Sequence, residues 1–206
     1  MPTTRTERLV RIGVNLAGAV SAALFAQASL RFFVRTHSLV GGLFVIEQTW
    51  FAIAFLVRRA PRAISHGIGS WLAAAGGTFG GLLLRPAGVH LGWGVTAGFG
   101  LQLAGLLIAI TSLMTLGRSF GFVAADRGLK TTGPYAIVRH PIYASYFLIQ
   151  CGYLLQSHSV RNAAVVAFAT ACNVWRALAE ERLLAGSADY LSYSQRVRWR
   201  LIPFLW

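Results

Sequence analysis

The sequence predicts an all-α fold. It is a polytopic bundle of about six transmembrane helices (five if one weak segment is re-entrant), with a long polar loop before the last two and an amphipathic helix near the C-terminus. Three observations predict it. The 206 residues are 55% hydrophobic and only 12% charged, and mean hydropathy is +0.58. A soluble domain this small cannot bury so much apolar surface, and disorder demands the opposite balance. The apolar residues gather into runs near the length that crosses a bilayer. The Lys and Arg residues lie mainly in alternate connections between those runs, as the positive-inside rule requires.

Six runs follow in order: Ile12–Phe33, Val40–Val57, Ile68–Leu84, Leu91–Leu116, the short Pro141–Gln156, and Ala163–Leu178. Backbone polar groups in lipid must be satisfied internally, so each run should be helical. The first run has no small-residue cleavage site before a polar region and is expected to be a retained helix rather than a signal peptide. Arg5, Arg8, Arg11, Arg58, Arg59, Arg62, Arg118, Arg127, Lys130, Arg139 and the arginines of the tail fall on one side of the bundle, leaving Arg31, Arg35, Arg85 and Arg161 on the other. This places both termini in the cytoplasm and favours an even number of crossings. The net charge of +13 thus reads as topology and contact with lipid headgroups, not nucleic acid. Cys151 and Cys172 lie in apolar runs without metal or disulfide spacing and read as packing residues.

The third run carries Gly76-x-x-x-Gly80 and Gly77-x-x-x-Gly81, which allow close helix approach, either within the chain or at a homodimer seam. Glu47 and Gln48 are polar residues inside the second span, where a lone carboxylate is a functional candidate.

The connection from Leu116 to His140 is long, polar and glycine-rich, with a turn at Gly133-Pro134. Pro141 suits a first helical turn, so His140 stands at the helix entrance beside free N–H groups that suit a carboxylate or phosphate. His140, Tyr143 and Phe147 share a face at helical spacing. At the far end of the sixth run, Arg176 and Glu180 point the same way, with Glu181 next round the helix. Beyond them, Leu184, Tyr190, Tyr193, Val197 and Leu201 suggest an amphipathic segment on the membrane surface, with Arg196, Arg198 and Arg200 toward headgroups or solvent.

The words Gly133-Pro134-Tyr135, Arg139-His140-Pro141-x-Tyr143, Glu180-Glu181-x-Leu183 and the closing Leu201-Ile202-Pro203-Phe204 resemble the isoprenylcysteine carboxyl methyltransferase family and its relatives among phospholipid methyltransferases. The resemblance covers about residues 116–204, and it divides the chain. Residues 1–115 become packing and acceptor-access helices, and residues 116–206 a methyltransferase core with a cytoplasmic cofactor-binding loop. It implies S-adenosylmethionine as cofactor without a Rossmann domain. By position it assigns Arg127, Gly128, Leu129, Lys130 and Tyr135 to wrapping the cofactor. His140, Pro141, Ile142 and Tyr143 hold its amino-acid end, Glu180 binds it too, and Arg176 stands at the acceptor's carboxylate.

The cofactor's chemistry agrees with that assignment, offering a carboxylate for His140 and the helix entrance and an ammonium for Glu180. A carboxylate acceptor needs no general base, whereas an amine or hydroxyl would make Glu181 or His140 the candidate base. A lipophilic acceptor should enter from the bilayer. Two other readings stand beside this one: an NADPH-dependent sterol-type reductase, and a non-enzymatic transporter or sensor, whose polar residues would sit at mid-bilayer in broken helices.

Overall fold

The structure is a computed structural model, and it describes residues 5–60, 63–64, 67–86, 92–123 and 125–206. Arg62 and Leu91 lie outside the described residues, as do the side chains of Arg5, Arg8 and Arg11. All six apolar runs form helices: α1 Arg5–Thr36, α2 Leu39–Val57, α3 Ile68–Phe79 continued by a 3-10 turn Gly80–Leu83, α4 Gly92–Leu116, α5 Pro141–Gln156 and α6 Val160–Leu184. A short helix α7, Ala188–Arg196, follows. A two-residue antiparallel ribbon pairs β1, Ala63–Ile64, with β2, Ala125–Asp126.

Among the described residues, three segments are long and apolar enough to cross a membrane: Ile12–Thr36, Leu39–Val57 and Gly92–Ser119. Ile68–Leu83 is a shorter apolar helix. The 16 residues of α5 rise about 24 Å, less than a full hydrocarbon core. The 25-residue α6 is long enough, but it is interrupted by Asn162, Asn173, Arg176 and Glu180. The first three of these are buried, so its polarity faces protein while large apolar side chains elsewhere, such as Leu16, Leu24 and Leu72, stand exposed as lipid-facing residues should.

The helix ends sort to the two ends of the bundle. At one end, Arg58 Nε donates to Asn15 Oδ1 (2.7 Å), and the Arg59 N–H donates to the Arg118 carbonyl (2.7 Å). The β ribbon joins the α2–α3 connection to the α4–α5 loop at this same end. At the other end, Asn162 Nδ2 donates to the carbonyls of Arg85 and Ser157, both at 2.8 Å. The connections that carry most of the arginines therefore share one end.

Glycines set the closest helix contacts. The α3 stripe packs inside the chain: a Cβ at Gly76 would meet Cys172 Sγ at 2.6 Å, one at Gly80 would meet Ala169 Cβ at 3.0 Å, and one at Gly77 would strike Asn173, all on α6. Of the two readings of this stripe, intrachain packing is the one observed. A contact that the stripe did not foretell joins α4 to α5, where Gly98 and Gly152 face each other's carbonyls. Gly98→Ala should cost about 1–3 kcal/mol by overpacking. Gly100→Ala, whose Cβ meets open space, should be neutral or slightly stabilising. Thermal unfolding in detergent, followed by far-UV circular dichroism, checks the contrast.

The core nearest the arginine-rich end joins Phe51 and Phe55 of α2, Leu113 of α4, Phe120 of the loop, Tyr143 of α5, Ala177 of α6 and Leu201 of the tail. Phe120 sets its ring edge-on to Phe51 and Phe55, at 5.2 and 5.1 Å between centroids. This anchors the start of the polar loop to α2.

Candidate functional site

A cavity of about 780 Å3 opens within the bundle, a volume in the range of small-molecule sites. Loop residues Arg127, Gly128, Leu129, Lys130 and Tyr135 line it. So do His140, Ile142 and Tyr143 from the start of α5, and Arg176 and Glu180 from α6. It continues between α1, α2 and α5, past Ser21, Phe25, Glu47, Phe51, Tyr146 and Gln150, and so crosses the division at residue 115. Two of the residues given a binding or catalytic role in the sequence do not line it: Pro141, buried as the first residue of α5, and Glu181.

The α5 face turned to the cavity is Ile142, Tyr143, Tyr146, Ile149, Gln150 and Tyr153. Phe147, expected on the face of His140 and Tyr143, is not on it, whereas Tyr146 is. Spacing from Tyr143 admits both, and only packing against α2 chooses between them. Tyr146 stacks on Phe51 at 6.4 Å and 22°.

At the helix entrance, the tail seats against the two residues that precede the first turn of α5. The N–H groups of Arg139 and His140 are not left for an external anion. They donate to the carbonyls of Trp199 and Arg200, both at 2.9 Å, so the tail stoppers the start of α5.

His140 lies between two carboxylates. Its Nδ1 is 3.6 Å from Glu180 Oε2 and its Nε2 is 3.1 Å from Glu181 Oε1. The Tyr143 hydroxyl donates to Glu180 Oε1, and the His140 and Tyr143 rings stack at 5.7 Å. Glu181 also accepts from Arg200 Nε at 2.9 Å and faces Arg139 Nε at 3.3 Å. Burial disfavours the imidazolium, but the hydrogen bonds and charges of Glu180 and Glu181 outweigh it, holding the His140 pKa above its usual value. Burial likewise works against both carboxylates and is overcome, chiefly by the hydrogen bonds of His140. Glu180 is held below the usual range, and Glu181, with Arg200 adding its own bond, lies at about 2. Glu181 is thus a clamped, weakly basic carboxylate, ill suited to the base role expected of it.

These shifts dictate a pH dependence. The contribution of Glu181 to stability is complete above its ordinary pKa of 4.5 and is lost as pH falls toward about 2. That of His140 is complete below its ordinary 6.5 and declines as pH rises through its raised folded value. This cluster should therefore be most stabilising between pH 4.5 and 6.5. Unfolding midpoints measured across pH should show Glu181→Gln flattening the acid limb and His140→Gln removing the alkaline decline.

Arg176, 4% exposed, is held from three sides. Its Nη2 donates to the Phe122 carbonyl (2.7 Å), and its Nη1 to Thr78 Oγ1 and Asn173 Oδ1 (both 3.2 Å). The guanidinium lies 4.8 Å from the centre of the Tyr143 ring, and its Nε has no hydrogen-bond partner. Arg127 gives its Nε to the Arg59 carbonyl (3.2 Å) and keeps Nη1 unpartnered although the residue is buried.

The expected amphipathic tail is real, but its apolar face turns inward. Tyr190, Tyr193 and Val197 close over Leu129 and Leu184, and the Tyr193 hydroxyl donates to the Tyr135 carbonyl at 2.7 Å. Helix α7 therefore roofs the loop instead of lying by that face on the membrane. Arg196 and Arg198 remain exposed, while Arg200 is drawn to Glu181.

Residues 93–187 match the family model for phospholipid methyltransferases. Among solved structures, the chain is similar to the eukaryotic intramembrane Ras methyltransferase, isoprenylcysteine carboxyl methyltransferase. The TM-score is 0.53 at 20% sequence identity, covering 97% of this chain and 76% of that one. No curated protein matches significantly. The resemblance read from the loop and tail words holds in both comparisons, and the chain has the fold of an integral membrane methyltransferase.

Proposed function

We propose that the protein moves a methyl group from S-adenosylmethionine to a lipophilic acceptor whose reacting group is a carboxylate, as in an isoprenylcysteine. The observation that carries this reading is one cavity faced by unsatisfied cationic groups of the loop, by Glu180 and by Arg176. The donor set fits the cofactor. Arg127, with its free Nη1, and Lys130 suit the carboxylate, Glu180 suits the ammonium, and Leu129, Tyr135 and Leu184 offer walls for the adenine. When bound, the cofactor supplies an activated methyl group on a sulfonium.

The chain's own residues then position and exclude. His140 and Tyr143 hold Glu180 ionised and fixed, so His140 serves as a positioning residue and not as the carboxylate's own partner. Arg176, held in a buried wall by Phe122, Thr78 and Asn173, orients an anionic acceptor. Helix α7 roofs the loop against water. No proton needs to move, so no general base is required, and effective positioning supplies much of the rate. The reading places six crossings with the arginine-rich end in the cytoplasm, supported by the gathering of those connections at one end. The acceptor reaches the cavity from the bilayer alongside α1 and α2.

Calorimetric titration of the detergent-purified protein tests the reading. S-adenosylmethionine and S-adenosylhomocysteine should bind and NADPH should not. Binding of NADPH alone would favour a reductase, silence from all three would favour a transporter or sensor, and either result overturns the methyltransferase reading.

A further inference from the structure

One polar cluster in the cavity has no part in that chemistry. Glu47 of α2 is 2% exposed and Gln150 of α5 is 8% exposed, and both line the cavity. The Phe51–Tyr146 stack sets the register of their helices. These helices run in opposite directions, so Glu47, one turn before Phe51, and Gln150, one turn after Tyr146, both lie beyond that stack, away from Glu180. Gln150 is ten residues past His140, so it lies about 15 Å along the axis, near the middle of a hydrocarbon core about 30 Å thick.

Oε1 of Gln150 has no hydrogen-bond partner. Glu47 is hydrogen-bonded by Gln48, which leaves further acceptor capacity on its carboxyl group. Acceptors buried this deep are destabilising until a donor reaches them. Glu47 falls outside residues 93–187 and Gln150 inside them, so the pairing joins the segment matched to the family to a helix beyond it.

We infer that Glu47 and Gln150 form a second polar subsite at mid-bilayer depth, which receives a hydrogen-bond donor carried on the chain of the lipophilic acceptor. The inference rests on the methyltransferase reading and narrows its acceptor class: an amphiphile with one reacting group near Arg176 and a hydroxyl or amine further along its chain. Arg176 lies against the ring of Tyr143, and the seven residues from there to Gln150 rise about 10 Å. An acceptor without the donor would leave Gln150 Oε1 unpaired and the remaining acceptor capacity of Glu47 unused. A site of this kind rejects such an analogue more strongly than an apolar pocket rejects a missing methylene.

The test compares 10-hydroxystearate with stearate, which differ only in the chain hydroxyl, binding to the detergent-purified protein with and without S-adenosylhomocysteine. The wild type should bind the hydroxy acid about tenfold more tightly. Gln150→Leu and Glu47→Leu should each reduce that preference to about twofold or less, with affinity for S-adenosylhomocysteine unchanged as the measure of an intact fold. Equal affinity in the wild type, binding of neither acid, or a preference that survives both substitutions overturns the subsite. Failure of the nucleoside to bind the wild type overturns the methyltransferase reading instead, and the lipid comparison made without it still judges the subsite.

Discussion

Glu180→Ala should lower S-adenosylmethionine affinity about 100-fold or more, a loss of roughly 3 kcal/mol. Its carboxylate lines the cavity and is held by the Tyr143 hydroxyl and the His140 ring. Removal takes away the one acidic side chain among the described residues that lines the loop end of the cavity, and leaves His140 with Glu181 alone. Glu180→Gln keeps the size and the bond from Tyr143 but loses the charge, and should fall nearly as far. His140→Ala should lose less, about tenfold, because Tyr143 still orients Glu180. Calorimetry on all three variants checks the order. Equal affinity in Glu180→Gln and the wild type would remove Glu180 from the binding site.

Arg176→Ala should cut turnover about 100-fold or more while cofactor affinity changes by less than about twofold, the signature of an interaction made with the acceptor. The guanidinium bridges the loop at Phe122, α3 at Thr78 and α6 at Asn173. A single ammonium cannot reproduce that fork, so Arg176→Lys should remain at least about tenfold impaired. Incubating membranes with methyl-labelled cofactor and counting label in extracted lipid and peptide gives the rate. An unchanged rate would refute the role.

The helices were legible because each rests on a local signal: apolar runs, Pro141 opening α5, and glycines spaced along α3. The grouping of Arg127, Tyr135, His140, Tyr143, Arg176 and Glu180 around one cavity was also legible, through motif words that travel together. The side-chain partnerships were not. Glu180 and Glu181 are neighbours in sequence, and only the rotation of α6 decides that one faces the cavity and the other faces Arg139 and Arg200. The carbonyls that stopper α5 come from residues about sixty positions away, and no local pattern announces a backbone partner. The inward turn of α7 was hidden for a related reason. An amphipathic stripe reports that a face is buried, not what covers it.

The seating of Trp199 and Arg200 against α5 has a biosynthetic consequence. Translation delivers the N-terminal helices first, and they can insert and pair as they emerge. The rim of the cavity needs Trp199 and Arg200, which are synthesised after all six long helices, so it is completed only once those two residues have emerged. A chain truncated after Arg196 should still insert and be helical, but it would lack the carbonyls that seat the start of α5.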